Sequence, residues 1–337
     1  MVAPIANLPA MVQRPHVQKL VERARRSHPL RAAHVFPCDR DSIQLALSGA
    51  FAGYLAPTLV GPEARIRDIA NHAGLDVSRL TLVDTADEPR AAAARAVALA
   101  REGRVDGLVK GSLGNEDLLA PVAAPDSGLR TDTRLSHACV LDLPGLTRPL
   151  VLADAQLNVN PNLAAKRDIL RNTLQLAAAI DIASPRVALL AAMDGPSQAF
   201  PSTTDAVALK SMAAQGMFGN AIVEGPLTPD QALAHADARS EVAGHADVLI
   251  APGMETAIIL QRTLTGLTQG LAAGIVLGAR VPIVLVGRSD TLEARTASCV
   301  LALLLHASGA ARAGAAPAPP ARSPGSDTPD DGRAIAA

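Results

Sequence analysis

The chain has 337 residues, 31 Lys and Arg against 32 Asp and Glu, a formal net charge of -1, and 49% hydrophobic residues with only 1% aromatics. That length sets a prior of about two domains, with ample apolar material for a core of Ala, Val, Leu and Ile. No basic surplus is present to hold a nucleic acid backbone, and one Tyr and four Phe are too few rings to stack bases.

No apolar run reaches the roughly 20 residues that span a bilayer. The first residues, Met1, Val2, Ala3 and Pro4, lack the basic start of a signal peptide, so a cytoplasmic protein is expected. Cys38, Cys139 and Cys299 lie far apart without metal-ligand spacing and are expected to be inert buried thiols.

In chain order, residues 1–14 read as loose. Residues 15–26 read as an amphipathic helix with Pro15 in its first turn. A short strand follows at 32–37, and then a helix capped by Asp41 that runs to Ala50. Residues 54–62 form a second strand with a Gly-Pro turn, and 63–73 a helix that Gly74 ends. A strand at 80–84, an Ala-rich helix at 88–102 and a strand at 106–111 complete the first run. This alternation predicts βαβ units and a parallel sheet.

The strand ending at Lys110 delivers an ammonium, two glycines (Gly111 and Gly114), the Ser112 hydroxyl and the Asn115 amide to a helix start. Backbone N–H groups and a cation there suit an anion. The order fits neither a Walker loop nor a dinucleotide fingerprint. Arg130, Arg134, Ser136 and His137 then gather before a strand at 138–141. Arg134 and Ser136 share one side if that stretch is extended.

The second half repeats the alternation. Strands are predicted at 150–154, 187–191, 221–226 and 248–253. Helices are predicted at 162–180, 205–215, 227–236 and 255–272. Residues 281–286 are β-branched and apolar, as in a strand buried on both faces. Gly287, Arg288, Ser289 and Asp290 follow, and a helix begins at 291. Open α/β sheets bind ligands at this carboxyl edge, where Arg grips phosphate through paired hydrogen bonds. Residues 309–337 are rich in Ala, Pro, Gly, Ser and Asp and read as a disordered tail.

Several of these stretches, in order, resemble the phosphate acetyl/butyryltransferase family over residues 30–306. They are 107–112 (Gly-Leu-Val-Lys-Gly-Ser), 135–137 (Leu-Ser-His) and 152–154 (Leu-Ala-Asp) with Asn158 and Pro161. Further on come 185–190, 224–230, 242–252, 278–285 and the trio Arg288, Ser289, Asp290. The resemblance implies acyl-CoA plus phosphate giving acyl phosphate plus CoA, without cofactor or metal. It implies two α/β/α-sandwich domains with mostly parallel sheets, like isocitrate and isopropylmalate dehydrogenases, with the site in the cleft between them. Residues 1–150 plus 275–308 would form the first domain, and 151–274 an inserted second domain that carries a homodimer contact.

On this resemblance Arg288 binds phosphate. The base that deprotonates the CoA thiol is Asp290 or Glu293, with Asp290 preferred. Ser136, Arg134, Lys110, Ser112, Asn115, His137 and Ser289 are the remaining partners of phosphate and carbonyl. The chain departs from the family pattern in three places. Gly287 stands where Ser often precedes the Arg, Ile258 and Arg262 stand for an Asn-x-x-x-Lys pair, and Gly114 and Asn115 end the Gly-Ser-x-His-Thr stretch. Losing a hydroxyl beside the reacting carbonyl costs about 2–4 kcal/mol where nothing replaces it. Acetyl transfer is the first reading, with butyryl transfer and a non-catalytic CoA-binding relative as alternatives. A dehydrogenase on the same fold would need a Tyr–Lys pair, and Tyr54 is the only Tyr.

Overall fold

The computed structural model describes residues 14–287 and 289–309. The predicted tail beyond Gly309 and residues 1–13 lie outside the described residues. A short helix α1 (Pro15–Ala24) opens the described chain. It is followed by β1 (Leu30–Val35), α2 (Arg40–Phe51), β2 (Leu55–Gly61), α3 (Glu63–His72), β3 (Thr81–Asp84), α4 (Pro89–Arg101), β4 (Gly107–Lys110) and α5 (Asn115–Ala123). Then come β5 (Ser136–Asp142), β6 (Leu150–Ala153), α6 (Leu163–Ala179), β7 (Arg186–Leu190), α7 (Pro201–Ala214), β8 (Ile222–Leu227), α8 (Pro229–Leu233) and β9 (Val248–Ile250). The last elements are α9 (Met254–Thr268), β10 (Leu271–Leu277), β11 (Ile283–Val284) and α10 (Leu292–Ala307).

Among the described residues all the strands join one 11-stranded sheet in the order β3-β2-β1-β4-β11-β10-β5-β6-β9-β7-β8. The left block, β3-β2-β1-β4-β11, is parallel, as is the right block, β6-β9-β7-β8. β10 is antiparallel to both β11 and β5, and β5 is antiparallel to β6. The strands of the left block therefore end at one edge of the sheet, and those of the right block at the other. Both blocks are α/β as predicted, but they share one continuous sheet through β10 and β5.

Alternate strand residues point to opposite faces, and each face is covered by helices. The largest apolar cluster joins Val17 and Leu20 of α1, Ile169 and Leu176 of α6, and Leu301 and Leu303 of α10 to Val140, Val151, Ile275 and Val284 of the sheet. On the other face two separate clusters form. One packs α3, α4 and α5 on the left block through Ile66, Ala96 and Leu118. The other packs α8 and α9 on the right through Ala232 and Ala257. Between them lie β10 and β5, where Ala272 and Gly274 are half-buried. The gap on this face lies between the helices of the two blocks.

Several boundaries differ from the sequence reading. Asp39, not Asp41, caps α2, because its carboxylate accepts from the Ser42 N–H at 2.7 Å. Residues 271–277, whose start was assigned to a helix, form the central strand β10. α7 begins at Pro201, the helix predicted over 227–236 is only the five residues of α8, and β11 pairs over just two residues. All three cysteines are buried and free, and burial raises their thiols to about 11 for Cys38 and about 12 for Cys139 and Cys299.

Candidate active site

β4 and β11 run side by side, with Val109 opposite Val284, so both deliver their following residues to one edge. A pocket of about 230 Å³ opens there, lined by Asp39, Ser42, Lys110, Gly111, Ser112, Leu113, Val286, Gly287 and Arg295. Lys110 is 9% exposed and Arg295 6%. Lys110 Nζ donates to the Val286 carbonyl at 3.2 Å. Ser112 is exposed, and its hydroxyl donates to the Phe36 carbonyl at 3.4 Å. Ser42, in the first turn of α2, lines the same pocket, with its N–H donating to the Asp39 carboxylate at 2.7 Å, so two cations and one carboxylate face the space. The two cations offer positive charge to an anion, against the Asp39 carboxylate of the same lining.

The strand end after Val286 folds into a turn. The Asp290 N–H donates to the Gly287 carbonyl at 3.2 Å, and the Gly287 N–H donates to the Asp290 carboxylate at 2.6 Å. That carboxylate lies where a side chain at 287 would begin, with its Oδ1 3.0 Å from an ideal Cβ. A Ser at 287 would make a tight contact with the exposed Asp290 carboxylate, relieved by a shift of that side chain. Ser289 and Asp290 are exposed beside the pocket. Arg288 itself lies outside the described residues. Asn115, the first residue of α5, is exposed. Glu293 is half-buried, and burial raises its pKa; Arg14 opposes that rise and Asp142 adds to it. Its charged neighbours thus lie toward α1.

The second group of sequence candidates sits elsewhere. β5 runs parallel to β4, yet Ser136 is its first residue whereas Lys110 is the last of β4. The two stand at opposite ends of parallel strands. Ser136 is fully buried, and its hydroxyl accepts from Asn172 Nδ2 at 2.9 Å. The same amide reaches the Arg134 carbonyl at 2.9 Å, and Thr133 Oγ1 donates to Asn172 Oδ1 at 2.7 Å. Arg134 is exposed, 3.9 Å from the Asp168 carboxylate and 3.5 Å from Asn158 Oδ1. Asn158 in turn donates to the Leu135 carbonyl and the Asp154 carboxylate.

His137 connects the two groups. It is 1% exposed, and neither ring nitrogen has a hydrogen-bond partner among the described residues. Burial lowers its pKa to about 4, against the opposing pull of Asp154 from one group and Asp290 from the other. The imidazole is therefore neutral at physiological pH. Sequence reasoning missed Arg295; its only local signal is a basic residue in the first turns of a helix whose later residues are mostly apolar.

Residues 90–303 match the family model described as Phosphate acetyl/butaryl transferase. The chain belongs to this family. A phosphate acetyltransferase of Rhizobium meliloti is 45% identical over 294 residues, which cover 86% of this chain and 93% of that protein. A phosphate butyryltransferase of Clostridium acetobutylicum is 35% identical over 73% of this chain and 83% of its own. Among solved structures, a phosphotransacetylase from Streptococcus pyogenes superposes with a TM-score of 0.74 over 86% of this chain and 99% of that one. Its sequence is 20% identical, so this likeness speaks for the fold. The family model spans Lys110, Ser136, His137 and Asp290, so both groups of candidates fall within the matched region.

Proposed function

We propose that this chain is a phosphate acyltransferase that interconverts acetyl-CoA plus inorganic phosphate with acetyl phosphate plus CoA. The pocket that Lys110 and Arg295 line at the carboxyl edge of β4 and β11 carries this reading, as a seat for the phosphate. The greater identity to an acetyltransferase than to a butyryltransferase supports acetyl as the group moved.

In the direction of CoA acylation, a carboxylate takes the thiol proton and the thiolate attacks the acyl carbonyl. The C–S bond forms, the C–O bond to phosphate breaks, and the electron pair leaves with the phosphate. Cations around the pocket stabilise that leaving charge. Asp290, exposed beside the pocket, is the proposed base, and Arg288, two residues earlier in the sequence, the proposed phosphate ligand. No oxidation state changes, so the reaction needs no redox cofactor. Direct attack needs no enzyme nucleophile, which agrees with the raised thiol pKa values.

The same reading takes residues 151–274 as an inserted unit that pairs two subunits. α9 supports it, because Ile259 (59% exposed) and Leu267 (82%) leave an apolar face uncovered. Three free thiols support a cytoplasmic location. The test is release of free thiol when purified protein meets acetyl-CoA and phosphate, with propionyl- and butyryl-CoA in parallel. Faster release from butyryl-CoA assigns the longer acyl group. CoA binding without release from any thioester overturns the catalytic reading and leaves a binding protein.

A further inference from the structure

Lys110 and Arg295 come from different elements and hold the same few residues of backbone. Where β11 ends, three carbonyls accept from these two cations. Val286 accepts from Lys110 Nζ at 3.2 Å, Gly287 from Arg295 Nη2 at 3.3 Å, and Asp290 from Arg295 Nε at 3.0 Å. The same Nη2 stands 3.4 Å from the Asp41 carboxylate, in the first turn of α2. One buried guanidinium thus ties the strand end, the start of α10 and the start of α2 together.

The geometry points to Arg295 as the positioning residue of the phosphate subsite. It holds the backbone of Gly287 and Asp290 in a fixed place relative to Lys110. The inference rests on the proposed seat for phosphate at this edge. A guanidinium suits the task because its planar fork reaches two carbonyls and a carboxylate at once, whereas an ammonium is a point charge on a flexible stem. Removing the fork strips donors from the Gly287 and Asp290 carbonyls and frees the turn. Misplacing a binding group by about 1 Å can cost on the order of a hundredfold in rate. The same fork also anchors the backbone of Asp290, the proposed base, so kcat is expected to fall together with phosphate affinity.

The test uses the full chain as wild type, Arg295→Ala, Arg295→Lys and Asp41→Asn. KM for phosphate and KM for acetyl-CoA are measured separately. Arg295→Ala is expected to raise KM for phosphate at least about tenfold and leave KM for acetyl-CoA within about twofold. Arg295→Lys falls between, and added guanidinium ion restores part of the alanine variant's phosphate affinity. Equal rises in both KM values, or none, overturn the inference.

Should Arg295→Ala fail to fold, Asp41→Asn is read instead. It removes only the outer anchor, and a smaller rise confined to phosphate is expected; an unchanged KM overturns the inference. If the wild type transfers no acyl group, the functional reading fails by itself. Calorimetric titration with inorganic phosphate then decides. Binding by wild type that is lost in Arg295→Ala supports the positioning role, while equal binding, or none by wild type, overturns it.

Discussion

The Nε2 atom of His137 lies 2.6 Å from the point where a side chain at Gly274 would begin. Register puts His137 opposite Val276 and Gly274 opposite Cys139, so the ring leans from its own row onto the neighbouring strand. A glycine is needed there for close approach of the imidazole. Gly274→Ala should drive the ring aside and destabilise the fold by about 1–3 kcal/mol, the usual cost of overpacking. Urea unfolding measures it, and the pair Gly274→Ala with His137→Ala should recover part of the loss. A single variant with the wild-type midpoint would show that the ring does not occupy this place.

Two buried imidazoles also set how stability responds to acid. Burial holds His34 at about 3 and His137 at about 4, each below the ordinary 6.5 of an unfolded chain. Above pH 6.5 neither state binds these protons, and the contribution is constant. Below it the unfolded chain takes them up first, so stability falls as pH drops from 6.5 toward 4. Between pH 7 and pH 5 each imidazole should remove about 2 kcal/mol. His34→Gln should lessen the fall by about that amount, read as urea midpoints at constant m. An unchanged fall would mean that His34 is protonated in the native state.

Much of the fold is legible in the chain because it rests on local pattern. β-branched runs alternate with amphipathic stretches, and Pro15 and Thr291 mark helix starts. β10 is not legible. Its first residues, Leu271, Ala272, Ala273 and Gly274, follow α9 after only two residues, and Gly and Ala are weak strand formers. The break is the left-handed Gln269, with φ 54, just before Gly270. Strand-terminal candidates such as Lys110 and Asp290 are readable because their position after a buried run already places them at an edge. That Ser136 starts its strand whereas Lys110 ends one depends on pairing order, which no short stretch encodes. Arg295 is hidden for a similar reason. It reads as an ordinary helical arginine until α2 and the β11 turn close over it.

A carboxylate at the end of β5 secures the first helix. Asp142 is buried and accepts from the His16 N–H at 3.0 Å and the Val17 N–H at 2.9 Å, capping α1 from 125 residues away. Asp142→Ala would leave both amides without that partner and remove a favourable charge at the helix start. A loss of about 2–4 kcal/mol is expected, since the change strips a buried charge-assisted pair. Kinetic constants at 25 °C should stay within about twofold, because these contacts lie away from the pocket that Lys110 lines. Hydrogen exchange should show α1 opening first. Loss of activity without loss of stability would instead tie Asp142 to the chemistry.

The choice of base between Asp290 and Glu293 can be separated from their structural roles. Asp290 accepts from the Gly287 N–H at 2.6 Å, so Asp290→Ala would damage the turn and the chemistry together. Asp290→Asn keeps an oxygen for that N–H but cannot take up a thiol proton. With Asp290 as base, Asp290→Asn should lower kcat by about 10²–10⁴ at an unchanged melting temperature. Glu293→Gln should keep kcat within a few-fold, since the charged groups acting on Glu293 are Arg14 and Asp142 on the side of α1. Removing a carboxylate that burial already disfavours should also stabilise the fold slightly. The deciding measurement is kcat against pH for both variants. Retention of the acidic limb in Asp290→Asn, together with its loss in Glu293→Gln, would transfer the role to Glu293.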